Sequence, residues 1–167
     1  MAVTGTSSGR PYPREGLSVV AFQLTIDCAD PAAQVRFWAA ALRYAPEEAP
    51  AGFPTWREYW LSIGVPVEEL GDSDCCDSIV DPEGAGPRIW FQQVPEGKSV
   101  KNRLHLDVKV GGRREDVPLP VRRERVDAEV ERLLAAGASR LRVLSTPGID
   151  HYAVVLRDPE GNEFCVA

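Results

Sequence analysis

The sequence predicts an α+β protein built from two tandem βαβββ modules. The tetrapeptide Asp81-Pro82-Glu83-Gly84 recurs as Asp158-Pro159-Glu160-Gly161, and a short apolar, aromatic-containing run follows each copy. Upstream of each copy lies a stretch of alternating polarity, at residues 21–27 and 103–109. Self-similarity at a nearly constant offset is typical of a duplicated structural unit. A duplicated unit tends to place its site between the two copies.

The composition is that of an ordinary soluble globular protein. The chain has 167 residues, 44% of them hydrophobic and 26% charged, and a formal net charge of −6. Such a charge gives no electrostatic basis for binding nucleic acid or an anionic membrane. No apolar run approaches the roughly 18 residues of a membrane span, and no signal-peptide pattern is present. Because the four cysteines lack the spacing of a disulfide framework, we expect a cytoplasmic protein with reduced thiols.

Composition also suggests the domain boundaries. Residues 1–16 are rich in Gly, Ser, Thr and Pro and predict a flexible tail ahead of the first module at residues 17–93. Residues 94–101 form the expected linker, and the second module takes residues 102–167. The first module is the longer one because a helical insertion at about residues 54–70 interrupts it.

The first module begins with the strand at residues 21–27, whose alternation predicts one buried face. Asp30 and Pro31 then start a helix, since Asp is a favoured N-cap and Pro a favoured first helical residue. The apolar stripe of this helix comprises Val35, Trp38, Ala39 and Leu42. Its spacing places the helix on the apolar face of the sheet. Two short strands are expected on either side of the first Asp-Pro-Glu-Gly turn.

The insertion is predicted to be helical because Thr55 and Glu58 have the spacing of a capping box, and a second turn is expected to start at Pro66. It has an unusual density of aromatic residues, namely Trp56, Tyr59 and Trp60. Aromatic residues at helical spacing fit either a packed core or the wall of a binding site. Both interpretations stay open at this point.

The second module repeats the order of the first. A strand at residues 104–110 precedes a helix that Gly137 ends. The apolar stripe of that helix comprises Val126, Val130, Leu133 and Leu134. Strands are expected at about residues 140–144, 152–156 and 163–166. Both modules therefore have the order strand, helix, strand, strand, strand.

These motifs resemble the glyoxalase/bleomycin resistance/dioxygenase superfamily, also called the vicinal oxygen chelate superfamily, and within it the glyoxalase-like domain branch. The resemblance is carried by Asp30-Pro31, by Phe37-Trp38, by His105-Leu106-Asp107-Val108 and by the closing residues 158–166. It extends from about residue 18 to the end of the chain. It implies that the two βαβββ modules form a curled mixed sheet around a central cleft.

The resemblance also implies a site built from the first and last strands of each module. By position, these slots fall on Gln23, on Gln92 or its neighbour Trp90, on His105 and on Cys165. The alternation of the strands independently turns these residues away from the helices. The residues expected to face the helices are Phe22, Leu24, Ile89, Phe91, Leu104, Leu106, Phe164 and Val166. In metal-using relatives the last slot usually carries a carboxylate, so Cys165 departs from the pattern.

This departure weakens the expectation of a catalytic metal. Magnesium and manganese prefer oxygen ligands, and two amides with one imidazole leave their charge poorly compensated. A thiolate from Cys165 with His105 would suit zinc instead. We therefore expect no obligatory metal. The alternatives are a zinc site, or a ligand set in which Asp107 or Glu163 replaces the missing carboxylate.

His105 and Asp107 are the candidate catalytic residues. An imidazole titrates near neutrality and suits acid–base chemistry, and Asp107 lies on the same strand face, where it could orient the ring. The alternative for each is a structural role, as a hydrogen-bonded histidine and a surface carboxylate. The candidate substrate-binding residues are Gln23, Trp56, Tyr59, Trp60, Trp90, Gln92 and Cys165.

The sequence thus predicts a small-molecule-binding protein with an apolar, aromatic-walled cleft. One alternative is a metal-dependent lyase, isomerase or dioxygenase of the vicinal oxygen chelate type. Another is a resistance protein that sequesters a drug without turnover. Members of this fold often dimerise, so the resemblance implies a homodimer. The sequence does not name the substrate or decide whether there is turnover.

Overall fold

The structure, a computed structural model, describes residues 20–70 and 73–167. The tail predicted at residues 1–16 lies outside the described residues. The elements of the first module are β1 (Leu24–Cys28), α1 (Pro31–Leu42), β2 (Ala45–Pro46), α2 (Trp56–Ser62), α3 (Val67–Leu70), β3 (Ser78–Val80) and β4 (Ile89–Gln93). Those of the second are β5 (Asp107–Val108), α4 (Leu119–Ala135), β6 (Ser139–Leu144), β7 (Ala153–Arg157) and β8 (Glu163–Val166).

Each module forms its own four-stranded mixed sheet. The strand orders are β1-β4-β3-β2 and β5-β8-β7-β6, so the two sheets are equivalent. In each, the first and last strands run parallel, as β1 with β4 and β5 with β8. The remaining neighbours are antiparallel. The predicted α+β fold of two tandem βαβββ modules is confirmed, and it leaves β1 and β5 at the edges of their sheets.

Local sequence signals determine where the helices begin and end. The Asp30 carboxylate caps α1 by accepting a hydrogen bond from the backbone N–H of Ala33 at 2.9 Å. The Thr55 hydroxyl caps α2 by accepting from the N–H of Glu58 at 3.1 Å. Gly137 follows α4 with a φ of +112°, a left-handed conformation that favours glycine. All three ends agree with the prediction.

Aromatic packing joins the two modules into one core. Trp38 of α1 meets Phe164 of β8 edge to face, with ring centroids 5.0 Å apart. Phe37 packs against the same ring at 5.8 Å. All three side chains are buried, and edge-to-face aromatic pairs stabilise beyond their buried area. The first helix therefore packs against the last strand of the other module.

The second Asp-Pro-Glu-Gly turn reinforces this junction from the polar side. Asp158 is only 3% exposed, and its carboxylate accepts from the Trp38 indole N–H at 3.3 Å. It also accepts from the backbone N–H groups of Glu160 and Asn162, at 3.0 and 2.9 Å. The buried carboxylate thus organises its own turn and holds Trp38 in place.

Glu160 of the same turn caps the first helix of the other module. Its carboxylate accepts from the N–H of Ala29 at 2.9 Å and of Asp30 at 2.8 Å. Negative charge at a helix N-terminus is favourable because the N–H groups there have no partner within the helix. In the first turn the equivalent Glu83 is exposed, and its own N–H donates to Asp81. The glutamate of the second copy therefore caps a helix, whereas that of the first copy is exposed to solvent.

The edge strands differ from the prediction. The strand expected at residues 104–110 is a strand only at Asp107–Val108, and Leu104 is 81% exposed. Phe22 is 72% exposed, so the expectation that it faces a helix was wrong, as it was for Leu104. Both residues precede the paired part of an edge strand, where neither a neighbouring strand nor a helix covers them. The helix-facing residues that are buried as predicted are Ile89, Phe91, Phe164 and Val166.

The linker is fastened by Glu163 of β8. Its carboxylate accepts from the backbone N–H of Asn102 at 3.0 Å and lies 3.3 Å from the Lys98 ammonium. The Asn102 hydrogen bond, with Lys98, lowers the pKa of Glu163 to about 2.

Within residues 20–70 and 73–167, no helix has the length and apolar character needed to cross a membrane.

Glu160→Ala should destabilise the protein by about 1–2 kcal/mol, the usual cost of losing a helix cap. Glu83→Ala, the same change in the first copy of the motif, is the matched control and should stay within about 0.5 kcal/mol of wild type. Urea unfolding followed by circular dichroism measures both. Equal destabilisation by the two changes would show that Glu160 does not join the modules.

Glu163→Gln should flatten the dependence of stability on pH in acid. Because the folded pKa of Glu163 lies below its ordinary value of 4.5, its ionisation stabilises the fold above about pH 4.5, and this contribution is lost as the pH falls toward 2. Thermal melts across this range should show a steeper loss for wild type than for the variant. Parallel profiles would contradict the assignment.

Candidate functional site

Three candidate side chains converge on one face of the second sheet. His105 precedes β5, Asp107 lies in it, and Cys165 of β8 pairs with Asp107 in the parallel ladder. One ligand atom from each lies within 4.8 Å of the other two. Paired residues project from the same face of a sheet, which explains the juxtaposition. The structure therefore brings together both candidate catalytic residues and one candidate binding residue.

The Nδ1 nitrogen of His105 lies beside the carboxylate of Asp107. Its Nδ1 lies 3.3 Å from Asp107 Oδ1, and the two side chains are 42% and 49% exposed. The carboxylate can accept a hydrogen bond only if Nδ1 carries the proton, which leaves Nε2 with its lone pair in the neutral ring. With a hydrogen bond between them, Nε2 would be the nitrogen available to accept a proton, and the acid–base role of His105 stays a prediction.

Cys165 is held in its thiol form by its surroundings. Burial raises the pKa of the Cys165 thiol, and the negative charge of Asp107 raises it further, whereas Arg142 and Lys101 act in the opposite sense. A protonated thiol is a weak nucleophile. Cys165 is therefore better suited to lining the site than to covalent chemistry.

Gln23 takes part in a polar network of the first module. Its side-chain oxygen accepts from Arg88 at 2.6 Å. Arg88 also donates to Glu47 at 2.6 Å and to the Ser78 hydroxyl at 2.9 Å. The Arg88 hydrogen bond lowers the pKa of Glu47, so the network is ionic. The sequence does not predict this network, because its residues come from four separate segments and share no motif.

Trp90 and Gln92 lie in β4 and are half-buried. The Trp90 indole N–H donates to Asp77 at 2.7 Å. Trp90 pairs with Thr25 of β1 and Gln92 with Asp27. These two candidate binding residues therefore lie on the face of the first sheet that is turned away from the helices, as their alternation predicts. A hydrogen bond holds Trp90 there.

The aromatic residues of the insertion pack against one another. Trp56 and Trp60 stack with centroids 5.6 Å apart, and Tyr59 lies 5.1 Å from Trp60. The Trp56 indole N–H donates to the Glu47 backbone oxygen at 2.9 Å. Trp60 also lines a cavity together with Cys75 and Cys76. The insertion thus resembles a small local core more than the wall of the His105 site.

A second cavity, of about 610 Å³, lies where the two modules meet, between β1 and the segment that leads into β5. Its apolar lining comprises Leu24, Ile26, Leu104, Leu106 and Phe164. His105 also lines it, and so links the cavity to Asp107 and Cys165. The aromatic lining among the described residues comes from Trp38 and Phe164, not from the insertion.

Sequence reasoning assigned three lining residues of these edge segments to the helix-facing layer: Leu24, Leu104 and Leu106. Alternating polarity identifies the apolar face of a strand, but it does not say what covers that face. At β1 and at the segment before β5, part of that covering is the other module. The sequence feature that could have indicated this contact between modules is the duplication itself, since equivalent edge strands of two copies tend to lie against each other.

Cys165 should react slowly with iodoacetamide at pH 7 in the folded protein, because its thiol pKa is raised. Asp107→Asn should speed the reaction, since it removes a negative charge that disfavours the thiolate. Cys28, whose burial raises its pKa to about 12, serves as the internal standard for an unreactive thiol. Peptide mass spectrometry measures each site, and rapid stoichiometric labelling of Cys165 at pH 7 would contradict the prediction.

Comparison with known proteins identifies the family. The model of the glyoxalase-like domain matches residues 23–167. A glyoxalase/bleomycin resistance protein/dioxygenase family enzyme from Burkholderia phytofirmans PsJN is 21% identical, with a TM-score of 0.51 over 86% of this chain and 94% of that one. The fosfomycin resistance protein FosX from Listeria monocytogenes is 11% identical, with a TM-score of 0.55 over 90% and 91%.

A hypothetical protein from S. aureus is 12% identical, with a TM-score of 0.52 over 89% of this chain and 93% of that one. At these identities the likeness shows the fold alone. A search of curated proteins gave no match. Because the family model covers most of its length, the chain belongs to the glyoxalase-like domain family, within the glyoxalase/bleomycin resistance/dioxygenase (vicinal oxygen chelate) superfamily.

Proposed function

We propose that this protein binds a small, largely apolar molecule between its two modules and presents a polar group of that molecule to His105, without an obligatory metal. The observation that carries the proposal is the cavity of about 610 Å³ that His105 connects to Asp107 and Cys165. Sites for small molecules are typically apolar cavities of about 300–1,000 Å³ with a few convergent polar groups.

Each residue of the cluster has a distinct role in this proposal. The Asp107 carboxylate accepts a hydrogen bond from the Nδ1–H of His105 and so holds the ring in place. His105 Nε2 then accepts a hydrogen bond, or a proton, from a hydroxyl or an acidic C–H of the bound molecule. Cys165 contributes a neutral thiol surface beside them. Proton transfer at His105 is the step that a lyase or isomerase of this fold would need.

A second candidate function is a metal-dependent lyase, isomerase or dioxygenase, and the convergence of His105, Asp107 and Cys165 favours it. An imidazole nitrogen, a carboxylate oxygen and a thiolate together fit zinc, which would act as a Lewis acid. Binding would require Cys165 to lose its proton, against the raised pKa of its thiol. Glu163, the other carboxylate considered for the set, is engaged with the linker.

A FosX variant from Listeria monocytogenes was solved with Mn(II) and a dihydroxypropylphosphonic acid. That protein is 13% identical to this chain, with a TM-score of 0.52. In this chain one member of the cluster is the thiol of Cys165, which suits manganese poorly. A resistance role by drug sequestration would use the same cavity and release its ligand unchanged. The homodimer and the cytoplasmic location stay predictions.

The neutral fluorescent probe N-phenyl-1-naphthylamine should bind the apolar cavity. Leu104→Gln, a change in the exposed part of the cavity lining, should weaken binding several-fold, because the apolar contact is lost. Ile149→Gln is the control, since Ile149 is an exposed apolar residue that is not among the cavity lining. Equal probe affinity for both variants would refute the ligand site.

Elemental analysis and thermal melts with chelator and with zinc test the metal in parallel. The proposal expects less than one equivalent of metal in the purified protein and no large loss of melting temperature on chelation. Stoichiometric zinc that is lost in His105→Ala, with chelation lowering the melting temperature by several degrees, would replace the first candidate by the second.

A further inference from the structure

A β-bulge in β6 reverses the face to which Arg142 projects. In the ladder with β7, Arg140 pairs with Leu156 but Arg142 pairs with Val155, so the register shifts between them. In a regular strand, residues two apart lie on one face, and the extra residue of a bulge puts them on opposite faces. Arg140 accordingly donates to Glu131 of α4 at 2.7 Å.

The face that receives Arg142 is the one that carries the His105 cluster. Val155 pairs with Cys165, and Cys165 pairs with Asp107. Arg142, Val155, Cys165 and Asp107 thus form one row across the four strands of the sheet. Neighbouring strands are about 4.8 Å apart, so two strand spacings, or about 10 Å, separate the backbones of Arg142 and Cys165. A long side chain can extend over much of this distance.

Arg142 is a cation with no partner in the described part of the chain. Among residues 20–70 and 73–167, it is exposed and has no hydrogen bond or ion pair. By contrast, Arg122, Arg132 and Arg140 are all paired with carboxylates. The charge of Arg142 opposes the effects of burial and of Asp107 on the pKa of Cys165, and Lys101 acts in the same sense. The Arg142 guanidinium therefore places a positive charge, unpaired among the described residues, at one end of this row in a chain whose net charge is −6.

We propose that Arg142 recognises an anionic group, a carboxylate or a phosphonate, on the molecule whose other polar group meets His105. A guanidinium presents paired N–H groups that match the oxygens of either anion. The inference rests on the proposed function. Because Phe164 and Cys165 lie on opposite faces of β8, such a molecule would extend from the cavity past the edge strand β5 to the face that carries Arg142. Its class narrows to small organic anions with an apolar part. It also accounts for the position of the bulge, because bulges next to functional sites change the direction in which a side chain projects.

Titrations of ¹⁵N-labelled protein with propionate, propylphosphonate and the neutral propionamide test this inference. Both anions should cause saturable shifts of the Arg142, Cys165 and Asp107 amide signals, whereas propionamide should not. Arg142→Gln should weaken anion binding by at least about tenfold, the usual effect of losing a hydrogen bond to a charged group. Whichever anion binds more tightly identifies the ligand class.

Arg140→Gln is the matched control, because it removes the same charge from the same strand but from the opposite face. It should leave anion affinity within about twofold, since surface charges contribute little at a distance. The inference is overturned if the two variants bind anions equally, or if neither anion saturates wild type. Arg142→Gln should keep its affinity for N-phenyl-1-naphthylamine, so loss of the anion site and failure of the apolar cavity are separate outcomes.

Discussion

The contact between Trp38 and Phe164 is the interaction on which the arrangement of the two modules depends. The rings meet at 5.0 Å, and the indole N–H donates to the buried carboxylate of Asp158. Glu160, from the same turn, caps the helix that carries Trp38. Apolar packing and hydrogen bonds from the second module thus both hold α1 in place. Because Trp38 and Phe164 also line the cavity between the modules, the contact that joins the modules also shapes the proposed binding site.

The burial of Phe164 determines the position of the chemistry. Side chains alternate along a strand, so a ring buried under the helices turns Cys165 to the opposite face. Parallel pairing with β5 then sets Cys165 beside Asp107, and Asp107 in turn lies beside His105. The thiol stays protonated next to a carboxylate, and the imidazole keeps a free nitrogen. The two proposed uses of these side chains, proton transfer and zinc binding, differ in whether Cys165 keeps its proton.

The two copies of the module have diverged in their electrostatics. In the first sheet, Arg88 is bound by Glu47, Ser78 and Gln23, so its charge is used within the protein. In the second sheet, a bulge turns Arg142 toward the cluster, where no described carboxylate pairs with it. Arg88 of the first sheet is thus bound within the protein, whereas Arg142 of the second has no partner among the described residues. This asymmetry supports placing recognition in the second module.

The sequence by itself determined the repeat, the element order and the caps at Asp30, Thr55 and Gly137, because these follow from periodicity and from local hydrogen bonds. It also indicated His105, Asp107 and Cys165 as residues of one face. It misplaced Phe22 and Leu104, which are exposed, and it did not reveal the Arg88 network or the orientation of Arg142. Those features depend on which segments meet and on a one-residue shift of register. Only the tertiary structure decides such pairings, since alternation tells which residues share a face of a strand but not what lies against that face.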